Sequence, residues 1–259
     1  MTGFTDAQVP DQSGKCFLIT GANSGLGLET ARVLSRKHAR VILCCRSPEK
    51  AGDAMREIRA EMPCADLAFL PLDLADLESV KAAAAQAQTE PRLDGLINNA
   101  GVCFTPFALT AQDHELQFGV NHLGHFALTG LLLDLINATP NARVVTVSSI
   151  AHRMGKIDFD DLNWDRGYDA NRAYGRSKLA NLLFTYELQR KLTAAGSTAI
   201  AVASHPGWTE TNLQAHSRMS RMMNPLLAQD SPMGALPTLY AATSTTIHGG
   251  EYVGPHGFL

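Results

Sequence analysis

A glycine-rich turn near the N-terminus is the feature that most constrains the fold of this chain. Residues 15–20 form an apolar run that predicts a short buried strand, and residues 21–27 follow at once as Gly-Ala-Asn-Ser-Gly-Leu-Gly, before a helical pattern through Lys37. Glycines permit positive φ and close approach of a phosphate to backbone N–H groups, and the helix directs the positive end of its dipole at the same anion. The turn therefore suits a dinucleotide pyrophosphate. A turn that only permits tight packing is the alternative, because the G-x-x-x-G-x-G spacing is neither the G-x-G-x-x-G fingerprint nor a P-loop.

Strand-like apolar runs alternate with helical stretches along the rest of the chain. The predicted strands cover residues 40–45, 67–72, 93–97, 143–147 and 198–204, and the predicted helices cover 48–60, 77–88 and 172–195. This alternation indicates βαβ units and a parallel sheet covered on both faces. We expect an α/β fold, a Rossmann-type doubly wound parallel β-sheet with three α/β/α layers and a cofactor at the carboxyl ends of its strands. Without a linker or an internal repeat, residues 1–259 are predicted to form a single dinucleotide-binding catalytic domain.

Composition narrows the classes of protein to which the chain can belong. Its 259 residues are 45% hydrophobic and 18% charged, with a net charge of −3 and no basic block, which argues against a nucleic-acid partner. No apolar run approaches the roughly 20 residues of a membrane span, and residues 1–14 resemble no secretory signal. The five cysteines form no C-x-x-C, so we expect reduced thiols that fill the core of a cytoplasmic protein. The expected state is a monomer or a homodimer.

Tyr174 and Lys178 carry the most suggestive chemistry. They stand four residues apart in the predicted helix 172–195, which places a phenol and an ammonium on one helical face. An adjacent cation favours the phenolate, and lowering the tyrosine pKa by about three units corresponds to roughly 4 kcal/mol. Such a pair can exchange a proton at neutral pH. Taken alone, the spacing is also that of two ordinary solvent-facing neighbours.

Three motifs in order relate the chain to a known family. Thr20 with the glycine turn, Asn98-Asn99-Ala100-Gly101 and the Tyr174/Lys178 pair resemble the short-chain dehydrogenase/reductase family over residues 15–257. The segments Ser-Ser-x-Ala-His and Ala-Tyr-x-x-Ser-Lys-Leu-Ala-Asn are most similar to its retinol-dehydrogenase-like branch, which also resembles some bacterial carbonyl reductases. The resemblance implies an NAD(P)-dependent oxidoreductase.

The resemblance also implies a catalytic group. Tyr174 would donate a proton to a carbonyl oxygen during hydride transfer, and Ser149 would hold that oxygen by a hydrogen bond. Lys178 would lower the pKa of Tyr174 and bind the nicotinamide ribose, while Asn121 would support a water that relays protons to Lys178. Each polar residue also has a structural alternative, such as a strand end for Ser149 or a buried amide for Asn121. The substrate-contacting residues implied by the resemblance are Ser149, Tyr174 and Trp208.

The end of the second predicted strand bears on the choice of cofactor. An NAD site usually places Asp or Glu there, whereas this chain has Cys45 and then Arg46, whose guanidinium matches a 2′-phosphate. We therefore expect NADP(H) in preference to NAD(H), the alternative being that Arg46 is a solvated loop charge. Asp73 corresponds to the family residue near the adenine, or it caps the helix that follows. The predicted cofactor-binding residues are Gly21, Asn23, Ser24, Gly25, Leu26, Gly27, Arg46, Asp73, Leu74, Asn99, Ala100, Gly101, Tyr174, Lys178, Pro206, Gly207, Thr209 and Thr211.

The remaining features of the sequence do not identify the substrate. A substrate-binding lid is expected over residues 208–235, and the long segment 150–172 is expected to form part of the substrate rim. His122 and His125 have a possible ligand spacing, but no metal site is expected because no partner is evident. The first hypothesis is an NADP(H)-dependent reductase of an apolar carbonyl compound. The alternatives are an alcohol, steroid or retinol-type dehydrogenase and, remotely, a catalytically silent NADP(H)-binding sensor.

Overall fold

A parallel sheet of seven strands forms the centre of this computed structural model, which describes residues 3–207 and 231–255. The strands are β1 (Cys16–Thr20), β2 (Arg40–Cys45), β3 (Leu67–Pro71), β4 (Gly95–Asn98), β5 (Arg143–Val147), β6 (Ile200–Ser204) and β7 (Tyr252–Val253). Their order across the sheet is β3-β2-β1-β4-β5-β6-β7, and every pairing is parallel. The predicted doubly wound α/β fold is therefore confirmed.

Helices connect most of the strands. In the described ranges they are α1 (Gly25–Arg36), α2 (Pro48–Glu61), α3 (Leu77–Ala87), α4 (Leu116–Phe118), α5 (Gly124–Leu131), α6 (Leu133–Ala138), α7 (Ala170–Ala194) and α8 (Ser231–Thr243). A π-helical turn at Gly119–Leu123 joins α4 to α5, and short 3-10 helices lie at Asp6–Gln8 and Ile150–Met154. Helix α7 begins two residues before the predicted position because the Asp169 carboxylate accepts the backbone N–H groups of Asn171 and Arg172.

Alternating strand residues divide the core into two layers. Phe17 and Ile19 of β1 pack in a cluster with residues of α1, α2 and α8, whereas Cys16 and Leu18 pack in a second cluster with residues of α3, α5 and α7. Successive side chains of a strand point to opposite faces, so a strand buried on both faces is apolar throughout. All five residues of β1 are buried accordingly. The chain thus forms the three predicted α/β/α layers.

The order of the strands locates a crevice. Leu18 in β1 pairs with Ile42 in β2 on one side and with Leu96 in β4 on the other. The chain winds from β1 to β3 in one direction and continues from β4 in the opposite direction, so the connections after β1 and β4 diverge. Ligands of doubly wound sheets bind at the carboxyl ends of the strands beside this switch point.

The expectation that the five cysteines fill the core holds only in part. Cys16 and Cys44 are buried as expected, but Cys64 is exposed, so the prediction that all five cysteines fill the core is wrong at that position. Cys64 lies in the turn after α2 and not in a strand or helix that faces the core. Within residues 3–207 and 231–255, none of the helices combines the length and the apolarity that a bilayer span requires.

Candidate active site

A cavity of about 920 Å³ opens at the carboxyl ends of the central strands. It gathers residues predicted for both the cofactor and the reacting groups, although they are spread over most of the sequence. The predicted residues that line it are Gly21, Asn23, Ser24, Gly25, Leu26, Gly27, Arg46, Asp73, Leu74, Asn99, Ala100, Gly101, Ser149, Tyr174, Lys178, Pro206 and Gly207. Three further predicted residues, Trp208, Thr209 and Thr211, lie outside the described residues, as does the predicted lid from 208 to 230.

The glycine turn forms one end of the cavity. Gly21 has φ +68°, a conformation that side-chain-bearing residues rarely adopt. A Cβ at Gly27 would meet the carbonyl oxygen of Gly21 and stand 2.6 Å from Asn99 Nδ2. Helix α1 starts immediately after Ser24, whose side chain makes no capping hydrogen bond among the described residues. The first N–H groups of α1 and the close backbone approach therefore fit a dinucleotide pyrophosphate.

Thr20 joins the glycine turn to the end of β4. Its hydroxyl oxygen accepts the backbone N–H groups of Asn99 and Ala100, each at 2.9 Å, and Asn99 Nδ2 donates to the Thr20 carbonyl oxygen at 2.8 Å. These three bonds hold neighbouring parts of the cavity wall in register. Thr20 also lines the cavity, but it is absent from the predicted site residues, although it is part of the glycine motif that would have pointed to it.

Arg46 and Asp73 lie just beyond the ends of β2 and β3. Arg46 is exposed where β2 ends, and it lines the cavity. Burial raises the pKa of the Cys45 thiol, and the hydrogen bond to the Ser47 backbone and the charge of Arg46 partly oppose that rise. Asp73 Oδ1 accepts the N–H of Ala75 at 2.9 Å, whereas helix α3 is capped by Asp76. The interpretation of Asp73 as the cap of that helix is therefore wrong, and Asp73 lies in the cavity wall.

Tyr174 and Ser149 bring two hydroxyl groups together at the inner end of the cavity. Helix α7 supplies Tyr174, and Ser149 follows β5, where its hydroxyl accepts the N–H of Ala151 at 3.2 Å. The two side chains share a hydrogen bond, which lowers the pKa of Tyr174, but burial of the phenol outweighs it and raises that pKa well above the ordinary value. Burial therefore favours the neutral, protonated form of the Tyr174 hydroxyl.

Lys178 places its ammonium over the ring of Tyr174. The ammonium is 5.6 Å from the centre of the Tyr174 ring and donates to the carbonyl oxygen of Val147 at 3.0 Å. Lys178 is 3% exposed, and burial lowers its own pKa to about 8. Desolvation is the largest effect on the phenol and leaves the pKa of Tyr174 raised, so the role of Lys178 in lowering that pKa stays a prediction.

Asn121 is buried behind the cavity wall, in the π-helical turn. Its Oδ1 accepts the N–H of Val102 at 2.8 Å, and its Nδ2 donates to the Val102 carbonyl oxygen and to Ser177 Oγ, each at 2.9 Å. A Cβ at Gly101 would stand 3.0 Å from Asn121 Oδ1 and 3.7 Å from Lys178 Nζ, so the amide and the ammonium flank the same glycine. The side-chain amide is thus committed to structural bonds next to Lys178.

Phe104 lines the cavity and Gln117 holds its backbone, although neither residue belongs to the predicted site. The ring of Phe104 lines the cavity and packs edge-to-face on Tyr174, with ring centres 5.3 Å apart. Phe104 has φ +54°, and its N–H donates to Oε1 of the fully buried Gln117 at 2.9 Å. Gln117 Nε2 donates to the Tyr168 hydroxyl at 2.7 Å and to the Ala170 carbonyl oxygen at 2.9 Å. One amide therefore joins Phe104 to the segment that leads into α7. No local signal marks this link, since its members are up to 66 positions apart in the chain.

The histidine pair is engaged in hydrogen bonds. His122 Nδ1 lies 3.2 Å from Asn181 Oδ1, and both ring nitrogens of His125 lie within 3.0 Å of oxygen atoms of the protein. In the part of the chain that the structure describes, no three His, Cys, Asp or Glu side chains gather where they could hold a metal ion.

Comparisons with known proteins extend over this whole site. The family model for short chain dehydrogenase matches residues 15–221, a range that contains every residue lining the cavity. Retinol dehydrogenase 14 of Homo sapiens is 44% identical over 264 residues, covering 93% of this chain and 78% of the relative. Retinol dehydrogenase 12 of Mus musculus is 45% identical over 243 residues, covering 92% and 75%. A crystal structure of an uncharacterised protein from Mycobacterium paratuberculosis superposes with a TM-score of 0.83 at 45% identity, covering 98% of this chain and 85% of that one.

Proposed function

Since the chain belongs to the short-chain dehydrogenase family and is therefore an oxidoreductase, we propose that it transfers hydride between NADP(H) and the carbonyl carbon of an apolar small molecule. The observation that carries this proposal is one cavity with Arg46 at one arm and the Tyr174–Ser149 hydroxyl pair at its inner end. The first feature supports the phosphorylated cofactor, and the second supports protonation of a carbonyl oxygen.

Arg46 supports NADP(H) by charge and position. It is exposed at the end of β2, and none of the carboxylates in residues 3–207 and 231–255 forms a salt bridge with it. The strand ends in Cys45, so no acidic side chain at this position is available to bind a ribose 2′-hydroxyl or to repel a 2′-phosphate. A guanidinium binds phosphate through charge-assisted hydrogen bonds.

The hydroxyl pair supports general acid catalysis. When bound, the nicotinamide donates or accepts the hydride. Tyr174 keeps its proton at neutral pH and can transfer it to a substrate oxygen held by Ser149. Lys178, with a pKa of about 8, can return a proton toward Tyr174, and Asn121 keeps the wall beside Lys178 in place. Oxidation of an alcohol uses the same groups in reverse.

The wall next to Tyr174 supports an apolar substrate. Phe104, Leu116, Val120 and Met154 line the cavity, and Phe104 packs against Tyr174. Met154 is 57% exposed. Aromatic and aliphatic side chains of this kind bind a ligand through its apolar surface, while the few polar groups determine its orientation.

The test is a turnover assay with matched variants. Consumption of NADPH is followed with aromatic, aliphatic and polycyclic carbonyl compounds, and Tyr174→Phe is expected to abolish it while NADPH still binds. Arg46→Leu is expected to raise the KM for NADPH by about 10- to 100-fold, since a hydrogen bond to a charged group contributes about 1.5–3 kcal/mol, and to leave the KM for NADH unchanged. Arg56→Leu, which removes another exposed arginine outside the cavity, is the control. Tight NADPH binding without turnover of any substrate, or equal effects of the two arginine variants, would contradict the proposal.

The names of the relatives favour one second candidate. Retinol dehydrogenases 12 and 14 are 43–45% identical to this chain, so oxidation of a retinol-type alcohol, or reduction of the corresponding aldehyde, is the specific alternative. Turnover of all-trans-retinol with NADP⁺ at a higher kcat/KM than that of simple aromatic and aliphatic alcohols would support it. Equal turnover of short aliphatic alcohols would argue against it.

A further inference from the structure

His125 occupies a buried position between the two halves of the site. It is 1% exposed and belongs to α5. Its Nε2 lies 2.8 Å from the hydroxyl oxygen of Thr20, at the glycine turn, and its Nδ1 lies 3.0 Å from the backbone carbonyl oxygen of Asn121. One imidazole therefore spans from the cofactor end of the cavity to the asparagine beside Lys178.

The hydrogen-bond pattern determines which ring nitrogen carries the proton. A hydroxyl has one proton and two acceptor positions, and the Thr20 hydroxyl oxygen already accepts the N–H groups of Asn99 and Ala100. Its proton must therefore be donated. The nearer acceptor is His125 Nε2 at 2.8 Å, and the alternative, the Ile97 carbonyl oxygen, lies at 3.4 Å. Since Nε2 accepts, the ring proton of the neutral imidazole is on Nδ1 and is donated to the Asn121 carbonyl oxygen.

The surroundings keep this ring neutral. Burial lowers the pKa of His125 to about 4, and the nearby charge of Lys178 contributes in the same direction. Both ring nitrogens of His125 are engaged in directed hydrogen bonds.

We propose that His125 is a positioning residue that holds the Thr20 hydroxyl on one side and the Asn121 carbonyl on the other. The bond to Thr20 orients the hydroxyl that binds Asn99 and Ala100, so it acts on the cofactor end of the cavity. The bond to Asn121 orients a backbone carbonyl in the π-helical turn beside Lys178, so it acts on proton transfer. This second role rests on the proposed function, whereas the first requires only that the cavity binds a dinucleotide.

Two substitutions separate the two bonds. In His125→Asn, the amide nitrogen takes the place of Nδ1, which keeps the bond to Asn121 and loses the bond to Thr20. In His125→Gln, the amide oxygen reaches the place of Nε2, which keeps the bond to Thr20 and loses the bond to Asn121. Each variant loses one buried hydrogen bond, so a purely structural role would affect both variants in the same way.

The measurements are the Kd of NADPH from fluorescence and kcat for a carbonyl substrate that the wild type reduces. For His125→Asn we expect the Kd to rise about tenfold, the factor that corresponds to one hydrogen bond of about 1.4 kcal/mol, with kcat within about twofold of wild type. For His125→Gln we expect the reverse, a Kd within about twofold and a kcat reduced about tenfold. Equal losses of both quantities in the two variants would overturn the inference.

A readout that needs no turnover separates this inference from the proposed function. ¹⁵N chemical shifts of the histidine rings in the wild-type chain, assigned with the His125→Asn variant, report which nitrogen is protonated. The inference requires the Nδ1–H tautomer at pH 7, and an Nε2–H tautomer would overturn it. Failure of the wild type to reduce any carbonyl would contradict the proposed function, while the tautomer and the NADPH affinities would still test the role of His125.

Discussion

Lys178 places a charge in the interior of the protein, and its removal should stabilise the fold while abolishing catalysis. The side chain is 3% exposed, and burial lowers its pKa from 10.5 to about 8. At ~1.4 kcal/mol per pH unit, that difference corresponds to about 3 kcal/mol of unfavourable free energy at neutral pH. The cost is a direct consequence of holding an ammonium group against the wall of the cavity.

Lys178→Met removes the charge and leaves few groups unsatisfied. The carbonyl oxygen of Val147, which accepts from Lys178, also accepts from Asn181 Nδ2 at 3.2 Å and therefore keeps a donor. Loss of the lysine hydrogen bond subtracts about 1 kcal/mol from the gain. We therefore expect Lys178→Met to be more stable than wild type by about 2 kcal/mol at pH 7, and to show no turnover.

The dependence on pH identifies the cause. Between pH 8 and pH 10.5 the unfolded chain binds a proton at Lys178 that the folded chain has released, so this group makes wild type more stable as pH rises. Urea unfolding at pH 7 and pH 10 should show the advantage of Lys178→Met shrinking by about 2 kcal/mol. Buried thiols and phenols, such as Cys16 and Tyr174, lower stability at high pH in both proteins and cancel in the difference.

Exposed Lys81 provides the control, since Lys81→Met removes a lysine of α3 that is 62% exposed. It should follow the pH course of wild type. An advantage of Lys178→Met that stays constant or grows from pH 7 to pH 10 would refute the reasoning, as would a variant less stable than wild type at both pH values.

Three further substitutions test other parts of the structure. Gly27→Ala should weaken NADPH binding about tenfold or more, because its Cβ would meet the neighbouring turn. Gly130→Ala, whose Cβ has open space around it, is the control and should bind NADPH normally. In urea unfolding, the free energy of unfolding of Gly130→Ala should be higher than that of wild type by up to about 1 kcal/mol. Gln117→Leu should lower the free energy of unfolding by about 2–4 kcal/mol, since the N–H of Phe104 and the carbonyl oxygen of Ala170 lose the bonds that the Gln117 amide provides. Wild-type stability would contradict this. On acidification, wild type should lose stability as pH falls from 6.5 through about 4, because the unfolded chain binds a proton at His125 that the folded chain excludes. His125→Asn should show a shallower decline in thermal melts.

Local patterns predicted six of the seven strands and the helices α1, α2, α3 and α7, but not α4, α5, α6, α8 or β7. Strands β2 and β5 begin and end at the predicted residues, because strands buried on both faces are continuous apolar runs with polar or turn residues at their ends. The start of α7 was missed by two residues because its cap is Asp169, which the helical pattern of apolar residues does not include. The motifs also predicted many of the residues that line the cavity, since the carboxyl ends of parallel strands meet at one edge of the sheet.

Interactions between residues that lie far apart in the sequence could not be predicted from local patterns. The sequence places Lys178 four residues from Tyr174, but only the packed structure shows that the ammonium donates to Val147 and that burial, acting on the phenol, raises the pKa which the motif was expected to lower. The sequence alone therefore determined the approximate positions of strands β1 to β6, the glycine turn and the four-residue spacing of Tyr174 and Lys178, all of which depend on near neighbours. The tertiary structure decided the protonation of Tyr174, the Gln117 link and the two bonds of His125, because desolvation and hydrogen bonding depend on residues that lie far apart in the chain.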